Sequence, residues 1–236
     1  AMMLQADVRI ATHDSTFQHG NLTRGVCPLA GYARLLPHII GTRAAFDYYL
    51  GDQRISAEEA YALGMVDEVC SDAHARAGSI ANAMTEDVKL ELLHRRCSID
   101  DAHLAEEASA HAECQLANGG MVFRTAATVG TWTTDPSGWQ VSDTGIAIGC
   151  GKPPLVSVDV IVFTRPPIIT SKAAAVLAVD FCASTACKTF PTVEEARKFA
   201  EWLVQHPAIG LRHTLRLMSS GGHQEGLDRF RSAYGL

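Results

Sequence analysis

The chain has 236 residues, of which 47% are hydrophobic and 19% are charged, and its formal net charge is −6. This composition supplies a packed core and excludes a chain that is disordered throughout. The acidic balance, without a cluster of lysine and arginine, argues against nucleic acid as the main partner. No uncharged apolar stretch reaches the roughly 18 residues of a membrane-spanning helix. Seven cysteines without a Cys-x-x-Cys pair predict reduced thiols, a cytoplasmic location and no metal site.

The first part of the chain predicts a strand, a polar loop and a helical region. Residues 6–12, ADVRIAT, are apolar and partly β-branched, which favours a strand. The opening AMMLQADVRIA has no polar lead-in, and this predicts that the chain begins inside a domain. The polar segment FQHGNLTRGVCPLAG follows, and residues 42–50 then place apolar side chains at helical spacing.

The clearest local signal is ISAEEAYALGMVDEV, residues 55–69. Ser56 and Glu59 have the spacing of a capping box at the start of a helix. Gly64 supplies a left-handed helix exit, and MVDEV is predicted to continue as a strand. Two further helices are predicted next, with Asp72 near the start of the first. A polar helical tail then runs to about Ala117.

Three segments are predicted along the chain. Residues 1–118 form the first. Residues 119–190 are rich in glycine, proline and threonine and are predicted to be irregular, with LVSVDVIVF as the strand candidate. Residues 191–236 form a helical module, in which Thr192 and Glu195 repeat the spacing of a capping box.

The run from Ala6 to Cys70 resembles the enoyl-CoA hydratase/isomerase (crotonase) superfamily. The similar pieces are ADVRIAT, TFQHGNLTRGVCPLAGYARLLPHIIG and RAAFDYYLGDQRISAEEAYALGMVDEV, in the order and spacing typical of that family. The resemblance implies an α/β, crotonase-like fold of ββα repeats, truncated at the N-terminus, with C-terminal helices that serve in trimer assembly. Residues 191–236 are a candidate second copy of those helices.

The resemblance also implies the chemistry. Members of this superfamily bind acyl thioesters of coenzyme A or of a carrier protein, and two of their backbone N–H groups stabilise the enolate oxygen. In hydratases two glutamates act as general acid and base. The expected partners are therefore an acyl-CoA or acyl-carrier thioester and, by family analogy, further copies in a homotrimer. No separate cofactor is expected, because the coenzyme or the phosphopantetheine is part of the substrate.

The usual catalytic glutamates are replaced in this chain. Asn21 stands at the position of one, and Ala1 falls at the place of the other. A carboxamide does not take up a proton at physiological pH; it only orients and polarises. Hydration by two glutamates is therefore not expected.

His19 is the predicted catalytic substitute, with Asn21 as the orienting group. Residues i and i+2 of an extended chain point the same way, and an imidazole with a pKa near 6.5 acts as acid or base at neutral pH. Arg24 is predicted to bind a phosphate or carboxylate. The other predicted substrate-binding positions are those where the backbone turns tightly toward a thioester: Gly25, Pro28 and Gly31.

The same residues also have a purely structural interpretation, in which His19 hydrogen-bonds a loop carbonyl and Asn21 caps a turn. Two functions follow from these alternatives. One is a hydratase/isomerase-type enzyme, a lyase or isomerase of fatty acid or polyketide metabolism. The other is a catalytically inactive relative with a thioester-binding or oligomerisation role. An unrelated α/β binding module is the third alternative.

Overall fold

Helices and short strands together make up the described part of the chain. The computed structural model describes residues 2–95, 99, 101–119, 131–150, 154, 156, 158–163 and 186–220. Its helices are α1 (Tyr32–Ile40), α2 (Thr42–Gly51), α3 (Ala57–Ala62), α4 (Ala73–Ala83), α5 (Glu86–Arg95), α6 (Asp101–Ala117), α7 (Val193–Val204) and α8 (Ala208–Ser220). Its strands are β1 (Ile10–Thr12), β2 (Thr16–Phe17), β3 (Ile55–Ser56), β4 (Glu68–Cys70), β5 (Trp132–Thr134), β6 (Gln140–Ser142), β7 (Ile146–Gly149), β8 (Val160–Phe163) and β9 (Ala186–Thr189). The predicted α/β class is confirmed.

Two small sheets organise the N-terminal part. Strand β1 pairs with β4 in parallel, and β2 pairs with β3 in an antiparallel arrangement. Just before β1 and β4, the backbone N–H and the guanidinium of Arg9 donate to the carboxylate of Asp67 over 2.7 to 2.9 Å. The carboxylate of Asp67, just before β4, thus bonds both the backbone and the side chain of Arg9, just before β1. This pair therefore fixes the register of the parallel sheet.

Several local predictions for residues 42–83 are confirmed. The expected helix over 42–50 is α2. Ser56 and Glu59 form the complete capping box of α3, and Gly64 has a left-handed φ of 79°. Asp72 caps α4, because its side chain accepts a hydrogen bond from the backbone N–H of Ala75. These features depend on residues three or four apart, which explains why sequence alone predicts them.

A five-stranded sheet occupies the middle of the chain, where an irregular segment is predicted. Its order is β5-β6-β7-β8-β9; the first two pairings are antiparallel and the last two are parallel. Strand β8 falls inside the predicted candidate LVSVDVIVF. The other strands are only three or four residues long, too short to show a clear alternation of apolar and polar residues. Parts of the segment, including residues 164–185, lie outside the described residues.

The C-terminal helices pack onto the N-terminal part. Helix α8 lies against α1, α2 and α6. A side chain at Gly210, on α8, would come within 2.6 Å of the carbonyl oxygen of Gly25, so the absence of a side chain permits the close approach. One apolar cluster includes Leu36 of α1, Ile146 of β7 and Leu203 of α7. The core is therefore continuous across the predicted boundaries near residues 118 and 191.

The start of α7 shows one of the two hydrogen bonds of its predicted capping box. The side chain of Thr192 accepts a hydrogen bond from the backbone N–H of Glu195. Among the described helices, none combines the length and apolar character required to cross a bilayer.

Candidate active site

The predicted site residues lie on the loop that joins β2 to α1. Three glycines of this loop, Gly20, Gly25 and Gly31, have left-handed φ values of 70°, 64° and 73°. Side chains other than glycine rarely adopt such values. The glycines let the loop turn tightly, and along it buried residues such as those at 25–28 lie between exposed ones.

His19 lies inside the protein. Its side chain is 6% exposed, and neither ring nitrogen has a hydrogen-bond partner among the described residues. Three tyrosine rings surround it: Tyr32 at 4.8 Å between ring centroids, Tyr49 at 4.7 Å and Tyr48 at 6.1 Å. Tyr48 and Tyr49 are buried helix residues that form part of this enclosure. We call these four residues the histidine cage.

Burial lowers the pKa of His19 from 6.5 to about 3. The cause is desolvation, since a charged imidazolium would be taken out of water without a counter-charge. The ring is therefore neutral at physiological pH. A neutral imidazole has one N–H donor and one acceptor nitrogen, and in the histidine cage both are free of protein partners.

Gly20, the next residue, is held through both of its backbone polar groups. Its N–H donates to Oδ1 of Asp52 over 2.7 Å. Its carbonyl oxygen accepts a hydrogen bond from Nη1 of Arg24 over 2.8 Å. Gln18 completes the arrangement, because its side-chain Nε2 donates to the backbone oxygen of Asp52 over 2.9 Å. Both chain neighbours of His19 are thus bonded to one residue at the end of α2.

Asp52 is a site residue that sequence reasoning did not identify. It is 6% exposed, and its Oδ2 has no hydrogen-bond partner in the described part of the chain. Its φ of 43° is left-handed, a conformation that asparagine and aspartate tolerate better than most residues. Burial, and after it the negative charge of Asp52, raises the pKa of Tyr48, which places the carboxylate beside the histidine cage. A single acidic residue after a helix gives no pattern from which this role could be read.

Asn21 and Arg24 lie nearer the surface than His19. Asn21 is half-buried and Arg24 is exposed, and the backbone oxygen of Asn21 accepts a hydrogen bond from the N–H of Val26 over 3.3 Å. Because Gly20 is left-handed, the chain is not extended between His19 and Asn21. The argument that both side chains share a direction therefore does not apply, and their burial differs accordingly.

The three remaining predicted positions face other parts of the protein. Gly25 is buried, and its carbonyl oxygen accepts a hydrogen bond from Nδ2 of Asn118 over 2.8 Å. Pro28 is buried as well. A side chain at Gly31 would meet Cδ1 of Ile99 at 2.5 Å. At these positions the loop packs against other parts of the protein.

A buried carboxylate already occupies the N-terminus of α1. Oε2 of Glu107 accepts from the N–H of Gly31 over 2.6 Å, and Oε1 accepts from the N–H of Ala33 over 2.8 Å. Glu107 is 3% exposed. Desolvation raises its pKa, opposed by the two backbone hydrogen bonds. This contact between α6 and α1 could not be foreseen, because the two partners are more than 70 residues apart.

A cavity of about 610 Å³ lies beside the outer half of α1. It is bordered by the start of the chain, α5 and α6, and its lining includes Arg9, His38 and Ile99. Its lining contains no residue of the histidine cage. Within the described part of the chain, no group of three or more histidine, cysteine, aspartate or glutamate side chains is arranged to hold a metal ion.

The loop lies in a part of the chain that matches a known protein family. Residues 1–113 match the family model for enoyl-CoA hydratase/isomerase. This part of the chain is similar to the enoyl-CoA hydratase/isomerase family. The match includes β1 to α5, the histidine cage and Asp52, and the resemblance noted for residues 6–70 is confirmed.

Curated relatives match a part of the chain. The chain is 33% identical over 85 residues to 4-chlorobenzoyl coenzyme A dehalogenase-1 and to dehalogenase-2 of Arthrobacter sp; the match covers 35% of this chain and 31% of each relative. It is 37% identical over 68 residues to the peroxisomal bifunctional enzyme of Danio rerio, covering 29% of this chain and 10% of that protein. The match thus spans about a third or less of the length of these curated relatives.

Two solved structures were also compared. An enoyl-CoA hydratase of Mycobacterium paratuberculosis has 26% identity and a TM-score of 0.42, with 50% of this chain and 57% of that chain covered. DspI of Pseudomonas aeruginosa has 24% identity and a TM-score of 0.31, with 49% and 38% covered.

Proposed function

We propose that the protein is an acyl-thioester enzyme of the hydratase/isomerase type, in which the loop carrying His19 forms one wall of the thioester site. The observation that carries this proposal is the neutral imidazole of His19. It lies in the segment that matches the family model, and its two ring nitrogens are bonded to nothing in the described protein. A buried polar group without a partner is costly, and such groups concentrate at functional sites.

His19 is the proposed proton-transfer group. Removal of a proton next to a thioester carbonyl places negative charge on the carbonyl oxygen, and a neutral imidazole can accept that proton. In the ligand-free chain its pKa of about 3 makes it a weak base. The proposal therefore requires that pKa to rise when the thioester binds, because a developing enolate would favour the imidazolium form.

Asn21 and Arg24 have supporting roles in this proposal. The carboxamide of Asn21 orients the thioester or a water molecule without exchanging a proton. Arg24 uses one guanidinium nitrogen to hold Gly20, and the rest of its exposed group is proposed to bind a phosphate or carboxylate of the substrate. Gly25, Pro28 and Gly31 keep their predicted role in shaping the loop toward the substrate, although the N–H of Gly31 is bonded to Glu107.

The direct test is thioester turnover by the purified chain and by His19→Ala. Crotonyl-CoA tests hydration, and 4-chlorobenzoyl-CoA tests the reaction in the name of the Arthrobacter relatives. Loss of the imidazole is expected to lower kcat/KM by about 100-fold or more. His13→Ala is the matched control, since His13 is an exposed imidazole. Equal rates for His19→Ala and the wild type would remove His19 from the mechanism.

A second candidate is a catalytically inactive family member that binds a thioester or serves in assembly. The enclosure of His19 by three tyrosine rings favours it, because no substrate atom reaches the ring unless the cage opens. Isothermal titration with coenzyme A and butyryl-CoA separates the two candidates. Binding without turnover supports the inactive relative, and turnover supports the enzyme.

Assembly and location are proposed by family analogy and composition. A homotrimer is expected, and light scattering of the purified chain would then report three times its mass of 25.4 kDa. A mass of one chain would contradict the trimer. A cytoplasmic location is supported by the free thiols of the described cysteines, which include the buried Cys27 and Cys114.

A further inference from the structure

We propose that Asp52 is a positioning residue for the site: it bonds the side chain of Gln18 and the backbone N–H of Gly20, the two chain neighbours of His19, and so keeps the imidazole in the histidine cage. This inference rests on the proposed function of His19. It assigns to α2 a role in the site that the loop sequence does not reveal.

The hydrogen bonds of Asp52 carry the first step. Its Oδ1 accepts from the N–H of Gly20, after His19, and its backbone oxygen accepts from Nε2 of Gln18, before His19. One residue therefore bonds to both chain neighbours of His19. Arg24 bonds the carbonyl oxygen of Gly20, so each of the two peptide units that meet at Gly20 is held by a charge-assisted hydrogen bond, which a rotation of that unit would break.

The backbone of Asp52 carries the second step. Its N–H donates to the carbonyl oxygens of Tyr48 and Tyr49 over 3.2 and 3.3 Å, and both tyrosines are walls of the cage. The residue thus connects the loop that bears the imidazole with the helix that encloses it. Its left-handed φ of 43° points to a conformation that is retained in spite of a local cost.

Burial of the carboxylate carries the third step. Asp52 is 6% exposed and its Oδ2 has no partner among the described residues. An asparagine would fold in the same conformation and would avoid a buried charge. A charged acceptor, however, makes a stronger hydrogen bond to the backbone N–H of Gly20 than an amide oxygen makes.

Two variants of Asp52 separate the acceptor from the backbone conformation. Asp52→Gly keeps the left-handed φ and removes the side-chain acceptor. Asp52→Asn keeps the conformation and an acceptor oxygen but removes the charge. Glu107→Gln is the control for a general loss of stability, because it weakens the contact of α6 with α1 and leaves the Gly20 contacts in place.

The first readout is the titration of His19, followed by NMR of the histidine ring protons, with His19→Gln to assign the signal. In Asp52→Gly the loop is released and the ring is hydrated, so the pKa of His19 is expected to rise from about 3 by roughly two units or more toward its ordinary value. Asp52→Asn and Glu107→Gln are expected to leave it near that of the wild type. An unchanged titration in Asp52→Gly, or an equal rise in Glu107→Gln, overturns the inference.

The second readout is amide exchange at Gly20, which applies even if Asp52→Gly does not fold. Exchange of this N–H in Asp52→Asn is expected to be faster by about tenfold, because a charged acceptor becomes a neutral one. Exchange as slow as in the wild type overturns the inference. Binding of butyryl-CoA is measured in parallel: if neither the wild type nor the variants bind it while the titration and exchange change as expected, Asp52 positions His19 but the proposed thioester function fails.

Discussion

The loop that joins β2 to α1 has a buried titratable group at each end: His19 at the first end, and Glu107 of α6 against the second. The two groups differ in whether their hydrogen bonds are satisfied. At the first end His19 has no hydrogen-bond partner for either ring nitrogen. At the second end Glu107 accepts hydrogen bonds from Gly31 and Ala33 with both carboxylate oxygens. A buried group whose hydrogen bonds are complete is explained by the fold. A buried group whose hydrogen bonds are missing lowers stability, and its retention points to a ligand.

The largest expected effect is the dependence of stability on pH caused by His19. Below pH 6.5 the unfolded chain binds a proton at this residue, whereas the folded chain binds it only near its pKa of about 3. The folded chain is therefore free of this protonation penalty above pH 6.5, and its stability falls as the pH is lowered toward 3. The loss amounts to roughly 4 to 5 kcal/mol over this window.

The measurement is urea unfolding of the wild type and His19→Leu between pH 7 and pH 4. The variant cannot bind a proton at this site, so the difference in unfolding free energy between variant and wild type should grow as the pH falls. His13→Leu is the control, because His13 is 63% exposed. A difference that stays constant with pH would contradict the burial of an unpaired imidazole.

Removal of the satisfied group is expected to have the next largest effect. Glu107→Ala leaves the N–H groups of Gly31 and Ala33 without partners at a buried helix end, and should lower the free energy of unfolding by roughly 2 to 4 kcal/mol. Glu107→Gln keeps one acceptor oxygen and should lose less. The change is measured by urea unfolding at pH 7. A loss below about 0.5 kcal/mol in Glu107→Ala is typical of ordinary surface substitutions. It would contradict the view that the hydrogen bonds of Glu107 stabilise the fold.

At neutral pH, replacement of His19 should have the opposite sign. His19→Leu fills a similar volume without polar atoms, and removal of two unsatisfied nitrogens should raise the free energy of unfolding by about 1 to 2 kcal/mol. Thermal unfolding at pH 7.5 measures this change. A destabilised variant would show that the imidazole is satisfied in solution, for example by water, and would weaken the inference of a free binding capacity.

The two glycines at the loop ends give the smallest and sharpest comparison. Gly20→Ala and Gly31→Ala both force a left-handed φ on alanine, at a cost of about 1 kcal/mol each. The new side chain at Gly20 would meet the mobile tip of Arg24, whereas at Gly31 it would meet Ile99. Gly31→Ala should therefore lose about 1 kcal/mol more than Gly20→Ala, since overpacking adds to the strain. Equal losses in urea unfolding would show that Ile99 moves aside freely.

How far the sequence predicts this protein depends on the range of each interaction. The capping box of Ser56 and Glu59, the Gly64 exit and the Asp72 cap were all predictable, because each depends on residues a few positions apart. The loop was predictable as a special segment, since Asn21 stands at the position of a family glutamate and His19 lies two residues before it. The direction of its side chains was not, because the left-handed Gly20 removes the alternation that the prediction assumed.

By itself, the sequence determined the resemblance of residues 6–70 to the enoyl-CoA hydratase/isomerase family, the mixed α/β class and the identity of the unusual loop, because these properties depend on residue order, spacing and local conformational preference. Only the tertiary structure decided that His19 is buried and unpartnered, that Asp52 bonds the loop on both sides of it, and that Glu107 occupies the start of α1. The physical reason is distance along the chain. Each of these contacts joins residues about 15 to 75 positions apart, and packing of the complete core, not any local pattern, brings them together.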